Sequence, residues 1–384
     1  PGFIAAFAQT NTGDMSPNIN RGPGSGPTED EFENTRIIGQ RQADAAVTLA
    51  TLAGTPVECG GDARLTYVDL GDVTVQPEFT GDGRVHRTSR LMGAAAALAG
   101  TDEGKGFPGF KQGRNRIVDA LSRQVIYRAS PSLRDAQSPK GIVLPGGVMN
   151  RLAPFVQERV PVQLLRIGRL YLIGIPGEVT ITAGLRMRRE VAAVLDADLA
   201  DVLVAGYSNA YIHYVTTPEE YEFQNYEGGS TIFGRYELDA LIAASAYLAG
   251  AMASGTAVDP GAPPARHRVR IPSPMGSPIL ERKHPIVVLD APRSARSGET
   301  VTVRFAADHP NAVIRPTYLV VERLDDNVWT TIADDSSLTT TIRWHRDRRL
   351  HWTAMATWTA GNPGTYRLTY IGRTKATTDP FDVT

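Results

Sequence analysis

The chain holds a single cysteine, Cys59, among 384 residues, which excludes an internal disulfide and any metal site built from thiolates alone, and leaves the redox compartment open. Lysine is nearly as scarce: Lys105, Lys111, Lys140, Lys283 and Lys375 are the full set among 40 basic residues. The net charge is −1, so no basic field stands ready for a polyanion, and nucleic acid is not an expected partner. No apolar run approaches the roughly 18 residues a spanning helix requires. The longest, near residues 94–99 and 243–251, are short and alanine-rich. Phosphate-cradle Gly-x-x-x-x-Gly-Lys-[Ser/Thr], His-x-His and His-Glu-x-x-His patterns do not occur, which removes the usual nucleotide and zinc-protease signatures. Pro1 is no Ser, Thr or Cys, so an N-terminal nucleophile is not expected either.

What remains is a composition 42% hydrophobic and 21% charged, that of a globular protein long enough for two domains. Its most unusual stretch is residues 206–234, GYSNAYIHYVTTPEEYEFQNYEGGSTIFG, with five tyrosines, one histidine and an acidic group of Glu219, Glu220, Glu222 and Glu227. Phenols at loop edges commonly serve as amphipathic packing groups. Several on one loop also supply hydrogen-bond donors and, as phenolates, metal ligands.

Along the chain, residues 3–8 read as a buried strand followed by a Gly/Pro/Ser loop over 21–27. Residues 31–52 read as a helix, with Ile37, Ile38, Ala45, Ala46 and Leu49 at helical spacing and Gly54-Thr55-Pro56 closing it. Residues 67–75 alternate as a strand. Residues 162–175, VQLLRIGRLYLIGI, read as two strands folded about Gly168-Arg169, delivering Pro176-Gly177-Glu178 to the start of a helix that runs to about Leu195. A short strand at 201–205 leads into the tyrosine stretch, and a helix over 231–252 follows it. A Gly/Ala/Pro segment at 254–264 marks a linker. Beyond it come short alternating runs at 286–289, 300–305, 317–322, 339–344, 354–358 and 365–371. The expected fold is therefore α/β over residues 1–265, a mixed sheet with flanking helices, then an all-β immunoglobulin-like sandwich over 266–384.

Ser16, Glu178 and the 214–226 loop each follow an apolar strand, and strand ends on one edge of a sheet converge on a shared crevice. No Gly-x-Ser-x-Gly elbow surrounds Ser16, and His86 has no evident partner, so a Ser-His-Asp triad is poorly supported. Taken alone, Glu178 equally suits a helix N-terminus on electrostatic grounds. Composition and spacing leave the site incomplete.

Four segments resemble the neutral (neutral/alkaline, non-lysosomal) ceramidase family: AFAQTNTGDMSPNI at 6–19, PGSGPTEDEFENTRIIGQRQ at 23–42, PVQLLRIGRLYLIGIPGEVTITAG at 161–184, and the tyrosine stretch at 206–234. The resemblance runs from Phe3 through the C-terminal domain and is weakest at 54–82 and 137–147. It implies a zinc amidase that splits ceramide into a sphingoid base and a fatty acid, secreted or at the cell surface, in transient contact with a membrane surface. It places the Gly-Asp-x-Ser-Pro-Asn serine on Ser16, the zinc-binding glutamate of Pro-Gly-Glu-x-Thr on Glu178, the metal-binding tyrosine of His-Tyr-Val-Thr-Thr on Tyr214, and a second active-site tyrosine, of Gln-Asn-Tyr-Glu-Gly-Gly, on Tyr226. Tyr207, Tyr211 and Tyr221 keep the packing interpretation, and His213 is left without a metal role. In the C-terminal domain, the resemblance implies a calcium or magnesium loop with Asp335, Ser337 and Thr340 at the ligand positions; an ordinary polar turn fits the same residues. The family's two zinc-ligating histidines lie upstream of the serine motif and are not in this sequence. The chain therefore reads as the C-terminal portion of a larger enzyme, with the N-terminal portion expected as a separate associated chain or absent. A non-catalytic lipid- or carbohydrate-binding relative, and an amidase for another N-acyl lipid, stand as alternatives.

Overall fold

Two apolar runs fold back on one another as an antiparallel hairpin, Arg159–Ile167 against Leu170–Gly174, with Leu164 opposite Ile173. The turn needs glycine: Gly168 sits at φ 56°, and a Cβ there would stand 2.7 Å from the Glu58 carbonyl oxygen. Gly61–Asp69 adds antiparallel on one side and Val202–Ala205 parallel on the other, making a four-stranded mixed sheet. Strand alternation collects Val160, Val162, Leu164, Ile173, Val202 and Val204 on one buried face. The helices Ile181–Leu195 and Glu237–Ala253 cover that face. Each aliphatic side chain removed from water there contributes about 1.5–3 kcal/mol before entropy is charged against it. Thr180 caps the first of these helices by accepting from the Ala183 N–H at 3.3 Å.

This computed structural model describes residues 6–18, 25–52, 54–101, 104, 106–152, 156–264, 285–310, 312–347 and 351–384. The chain divides into two units, Pro1–Val269 and Arg270–Thr384.

In the first unit several expectations shift. The expected strand at 3–8 lies partly outside the described residues; residues 6–8 are irregular, Phe7 is exposed, and no described sheet takes them as a strand. The strand expected at 67–75 is instead Gly61–Asp69, followed by a turn and the short Thr74–Val75. The helix at 31–52 forms as Glu31–Thr51, capped by Asp30, whose carboxylate accepts from the Glu33 N–H at 2.9 Å. Its aliphatic side chains Val47 and Leu49 face outward, and Asn34 is its one buried residue. The helix expected from 231 begins at Glu237, because Tyr226–Ser230 winds a helical turn of its own and Thr231 is held in a bridge with His213.

The second unit is β-rich. A four-stranded sheet runs Val288–Asp290, Thr300–Ala307, Trp352–Thr359, Thr340–Arg346. A six-stranded sheet is centred on Gly364–Ile371 and Leu319–Asp325. Val301, Val303, Phe305, Ala354, Ala356 and Trp358 from the first share one buried cluster with Leu319, Val321, Tyr366, Leu368 and Tyr370 from the second. The strand Val328–Asp334 is absent from the sequence reading. It closes a hairpin with Leu319–Asp325 through Asp326 and Asn327, both at positive φ (50° and 62°), the two-residue turn that matches strand twist. Its outward residues are mostly exposed, so its alternation carries little apolar contrast.

Candidate active site

Glu178 leaves the central hairpin through Ile175-Pro176-Gly177 and enters a two-residue parallel pairing, Glu178–Val179 beside Tyr214–Val215, with Tyr214 directly opposite Glu178. The Glu178 N–H donates to the His213 carbonyl at 2.8 Å and the Thr180 N–H to the Val215 carbonyl at 3.1 Å. The residues before Ser16 complete a third side. The Gly13 N–H donates to the Val179 carbonyl at 3.0 Å, and a Cβ on Gly13 would stand 2.7 Å from the Glu178 carbonyl oxygen, so the Gly-Asp-x-Ser sequence can lie this close only as glycine. Asp14 Oδ1 then accepts from the Ile181 N–H at 2.9 Å, at the N-terminus of the Ile181–Leu195 helix, where a carboxylate is favoured. Ser16 is placed two residues on, its Oγ accepting from the Asn18 N–H at 3.0 Å.

Ser16, Glu178, Tyr207 and Tyr214 line one cavity of about 440 Å³, joined by Gln112 and Glu227. Tyr226, at the start of the Tyr226–Ser230 turn, meets the Tyr214 ring edge-on at 5.4 Å. Its N–H donates to Gln112 Oε1 at 3.3 Å. The four residues expected at the site in this unit are therefore together, although the chain carries them on three separate segments.

Two tyrosines assigned to packing are also here. The Tyr211 hydroxyl donates to Glu178 Oε1, and Tyr207 lines the cavity within reach of the same carboxylate. Their loop turns back over Glu178 through left-handed backbone at Tyr207, Asn209 and His213 (φ 56°, 63° and 67°). No periodicity announces such a turn; the one available signal is Ser208-Asn209 within the Tyr-Ser-Asn-Ala-Tyr run, two residue types that favour turns. Tyr221 does behave as a packing residue, fully buried with its hydroxyl donating to the Gln137 carbonyl at 2.8 Å. The His213 ring lies against Tyr211 at 5.1 Å. Burial first, and then the Glu178 charge, hold the Tyr211, Tyr214 and Tyr226 phenols above their ordinary value. Near neutral pH they are protonated donors arranged around one carboxylate.

His86, without a partner in the sequence reading, has three in the fold: Asp82 at 3.0 Å, Asp135 at 3.2 Å and the Tyr236 ring stacked at 3.8 Å. These contacts lie away from the cavity residues and leave the triad without its histidine.

Glu178 and Tyr214 offer two oxygen donors side by side. Among the described residues no group of three or more His, Cys, Asp or Glu is placed to hold a metal, and zinc takes about four ligands. The pair fits part of a zinc shell. In the second unit, Asp335 Oδ1 accepts from the Thr317 hydroxyl and from the Tyr318 and Leu319 N–H groups at 3.0 and 3.3 Å. Ser337 Oγ accepts from the Asp334 N–H at 3.0 Å and Thr340 Oγ1 donates to the Ser337 carbonyl at 3.0 Å. These oxygens are engaged in the turn itself.

Comparison with known proteins gives a consistent answer. The model of the neutral/alkaline non-lysosomal ceramidase N-terminal domain matches residues 1–243, and that of the C-terminal domain residues 246–383. A neutral ceramidase of Mycobacterium tuberculosis is 51% identical over 379 residues, covering 97% of this chain and 59% of the relative. One from Pseudomonas aeruginosa is 34% identical over 389 residues, covering 97% and 58%. Among solved structures, a ceramidase complexed with C2 superposes with a TM-score of 0.78 at 32% identity, covering 99% of this chain and 63% of that one. A crystal structure of the Pseudomonas aeruginosa neutral ceramidase gives 0.70 at 30%, covering 100% and 62%. The chain thus spans about three-fifths of the length of the relatives it matches.

Proposed function

Since the chain belongs to the neutral/alkaline non-lysosomal ceramidase family, we propose that it carries part of an active site that hydrolyses the amide bond of ceramide, releasing sphingosine and a fatty acid. The observation that supports this most is the meeting of Ser16, Glu178 and Tyr214 in one cavity with the Tyr226 ring against Tyr214. Water adds across the amide: its oxygen ends in the fatty acid carboxyl group, the C–N bond breaks, and the amine leaves protonated.

When bound, zinc would polarise the carbonyl and lower the pKa of water toward neutrality; Glu178 and Tyr214 would hold it, with the remaining ligands from residues of the enzyme outside this chain, as the resemblance expects. Tyr226, kept protonated by burial and by the Glu178 and Glu227 charges, donates to the oxyanion as it forms, the point at which a fixed donor contributes most. Tyr211 holds the Glu178 carboxylate in place through its hydroxyl. Ser16 lines the same cavity as Glu178 and Tyr214. We assign it to orienting the amide.

The calcium or magnesium ion that the resemblance implies at Asp335, Ser337 and Thr340 would enter no step of the hydrolysis; the same residues also hold their turn through hydrogen bonds. The immunoglobulin-like label for the second unit, and a secreted or cell-surface location, rest on the strand pattern and on the resemblance. A water-insoluble amide also requires contact with a lipid surface. No helix among the described residues is long and apolar enough to cross one.

The test is ceramide hydrolysis by Ser16→Ala and Tyr226→Phe in the full-length enzyme, together with its zinc content. Loss of one oxyanion donor costs roughly 100- to 1,000-fold in turnover. Wild-type rates in both variants would sink the assignment, and an enzyme that takes up no zinc on supplementation would favour a non-catalytic lipid-binding role.

A further inference from the structure

Residues 116–129 wind one continuous helical run, Arg116–Leu121, Ser122–Ile126 and Tyr127–Ala129. Its pattern is inverted. The inward side carries polar groups, with Ser122 Oγ accepting from the Ile142 N–H at 2.9 Å and the Tyr127 hydroxyl donating to the Lys140 carbonyl at 2.7 Å. The outward side carries aliphatics: Ile117 is 87% exposed, Leu121 57% and Val125 56%. At spacing i, i+4, i+8 these three form a stripe along one side of the run.

Beside the stripe lies a cleft of about 370 Å³ lined by Arg114, Arg116, Arg123, Asp119, Tyr127 and the Ser138-Pro139 turn. Three guanidiniums face one carboxylate there, a net positive cradle. Arg114 donates to the Pro139 carbonyl at 3.1 Å and lies 3.8 Å from Glu222. Arg116 and Arg123 make no hydrogen bond or ion pair among the described residues. Burial raises the Asp119 pKa, offset in part by Arg114 and Arg123.

We propose that this helical face docks the protein on an anionic bilayer, with Ile117, Leu121 and Val125 entering the headgroup boundary and Arg114, Arg116 and Arg123 taking lipid phosphates. In this chain Ile117, Leu121 and Val125 present aliphatic surface that is costly in water, and arginines along its flank supply the charge complement that an anionic surface requires. A planar guanidinium also matches phosphate geometry, as a lysine ammonium does not. The inference extends the reading of the chain as acting on a lipid amide, and it locates the face that would meet the lipid.

Co-flotation of the full-length enzyme with vesicles tests it without any ceramide, so it stands or falls apart from catalysis. Wild type is expected to bind phosphatidylcholine vesicles doped with phosphatidylglycerol, to bind pure phosphatidylcholine weakly, and to lose binding as salt is raised. A triple Arg114→Gln, Arg116→Gln, Arg123→Gln variant should lose roughly fivefold in partitioning per charge. Ile117→Ser, Leu121→Ser, Val125→Ser should also lose binding, at an unchanged melting temperature. Wild type that ignores anionic vesicles at low salt, or variants that bind as wild type does, overturn the proposal. So does light scattering in which the serine variant instead dissolves a dimer, since the stripe would then be a contact between copies. A full-length enzyme that binds through these residues yet, with zinc supplied, hydrolyses no ceramide would overturn the function and leave this inference standing.

Discussion

Two polar centres flank the same tyrosine-rich stretch and use the same residue types to opposite ends. Around Glu178 the phenols of Tyr211 and Tyr214 and the hydroxyl of Ser16 gather at a cavity open to solvent. Around Lys140 everything is sealed: the ammonium is fully buried, donates to the Thr231 carbonyl at 2.7 Å and the Met92 carbonyl at 3.3 Å, and sits 5.3 Å over the Tyr221 ring. Burial pushes the Lys140 pKa down and that of nearby, equally buried Glu237 up. Thr231 is the joint between the centres. Its carbonyl accepts a hydrogen bond from Lys140, its hydroxyl donates to the Glu227 carbonyl at 3.0 Å, and its backbone bridges to His213 beside Tyr214. A tyrosine or a charge in this region is thus chemical equipment or structural bracing according to whether water reaches it.

The sharpest break in that contrast is Lys140→Met. It leaves two buried carbonyls without donors, each worth roughly 1–3 kcal/mol, and should lower the denaturant midpoint of the first unit. If the midpoint is unmoved, the sealed centre is not bracing. Tyr211→Phe should do the reverse, weakening zinc binding by the full-length enzyme roughly 10- to 100-fold, as loss of a ligand's supporting partner does, with folding intact. Unchanged zinc affinity would remove Tyr211 from the site. Tyr221→Phe, five residues before Tyr226, should cost about 1 kcal/mol of stability through its lost hydrogen bond and leave the turnover number alone; a large fall in turnover at full stability would erase the division of roles.

The smallest effect concerns pH. Burial pulls the His86 pKa down, but its hydrogen bonds to the Asp82 and Asp135 carboxylates outweigh it and leave the value above 6.5. The folded state then holds a proton that the unfolded chain releases. The stability this adds is complete below about 6.5 and is lost as pH rises through the raised value. Melting curves across that range should show a different slope in His86→Asn from that in wild type, by the share His86 contributes; buried Glu237, Asp239 and Lys140 titrate in the same range in both.

Much of the frame was legible because it rests on local rules. The Gly168 turn, the capped Glu31–Thr51 helix and the run from Glu178 into the next helix each follow from a few adjacent residues. The strand Val328–Asp334 escaped because its burial contrast is weak, and residues 67–75 were misread because alternation does not mark where a strand must turn. At the candidate site, Ser16, Glu178, Tyr214 and Tyr226 were singled out by family resemblance, and the fold brings them together. Tyr207 and Tyr211 were missed, since their place over Glu178 depends on three left-handed backbone positions that carry no periodic signal.

The sequence by itself determined the elements, the absence of thiolate and P-loop chemistry, and which segments match the ceramidase family, because propensity, patterning and motif spacing are written between near neighbours. Tertiary structure alone decided which phenols meet the carboxylate, that His86 lies between two aspartates, and that an aliphatic stripe faces outward beside three arginines. Those outcomes depend on residues far apart in the chain being brought within a few ångströms, where burial and field strength set what each group can do.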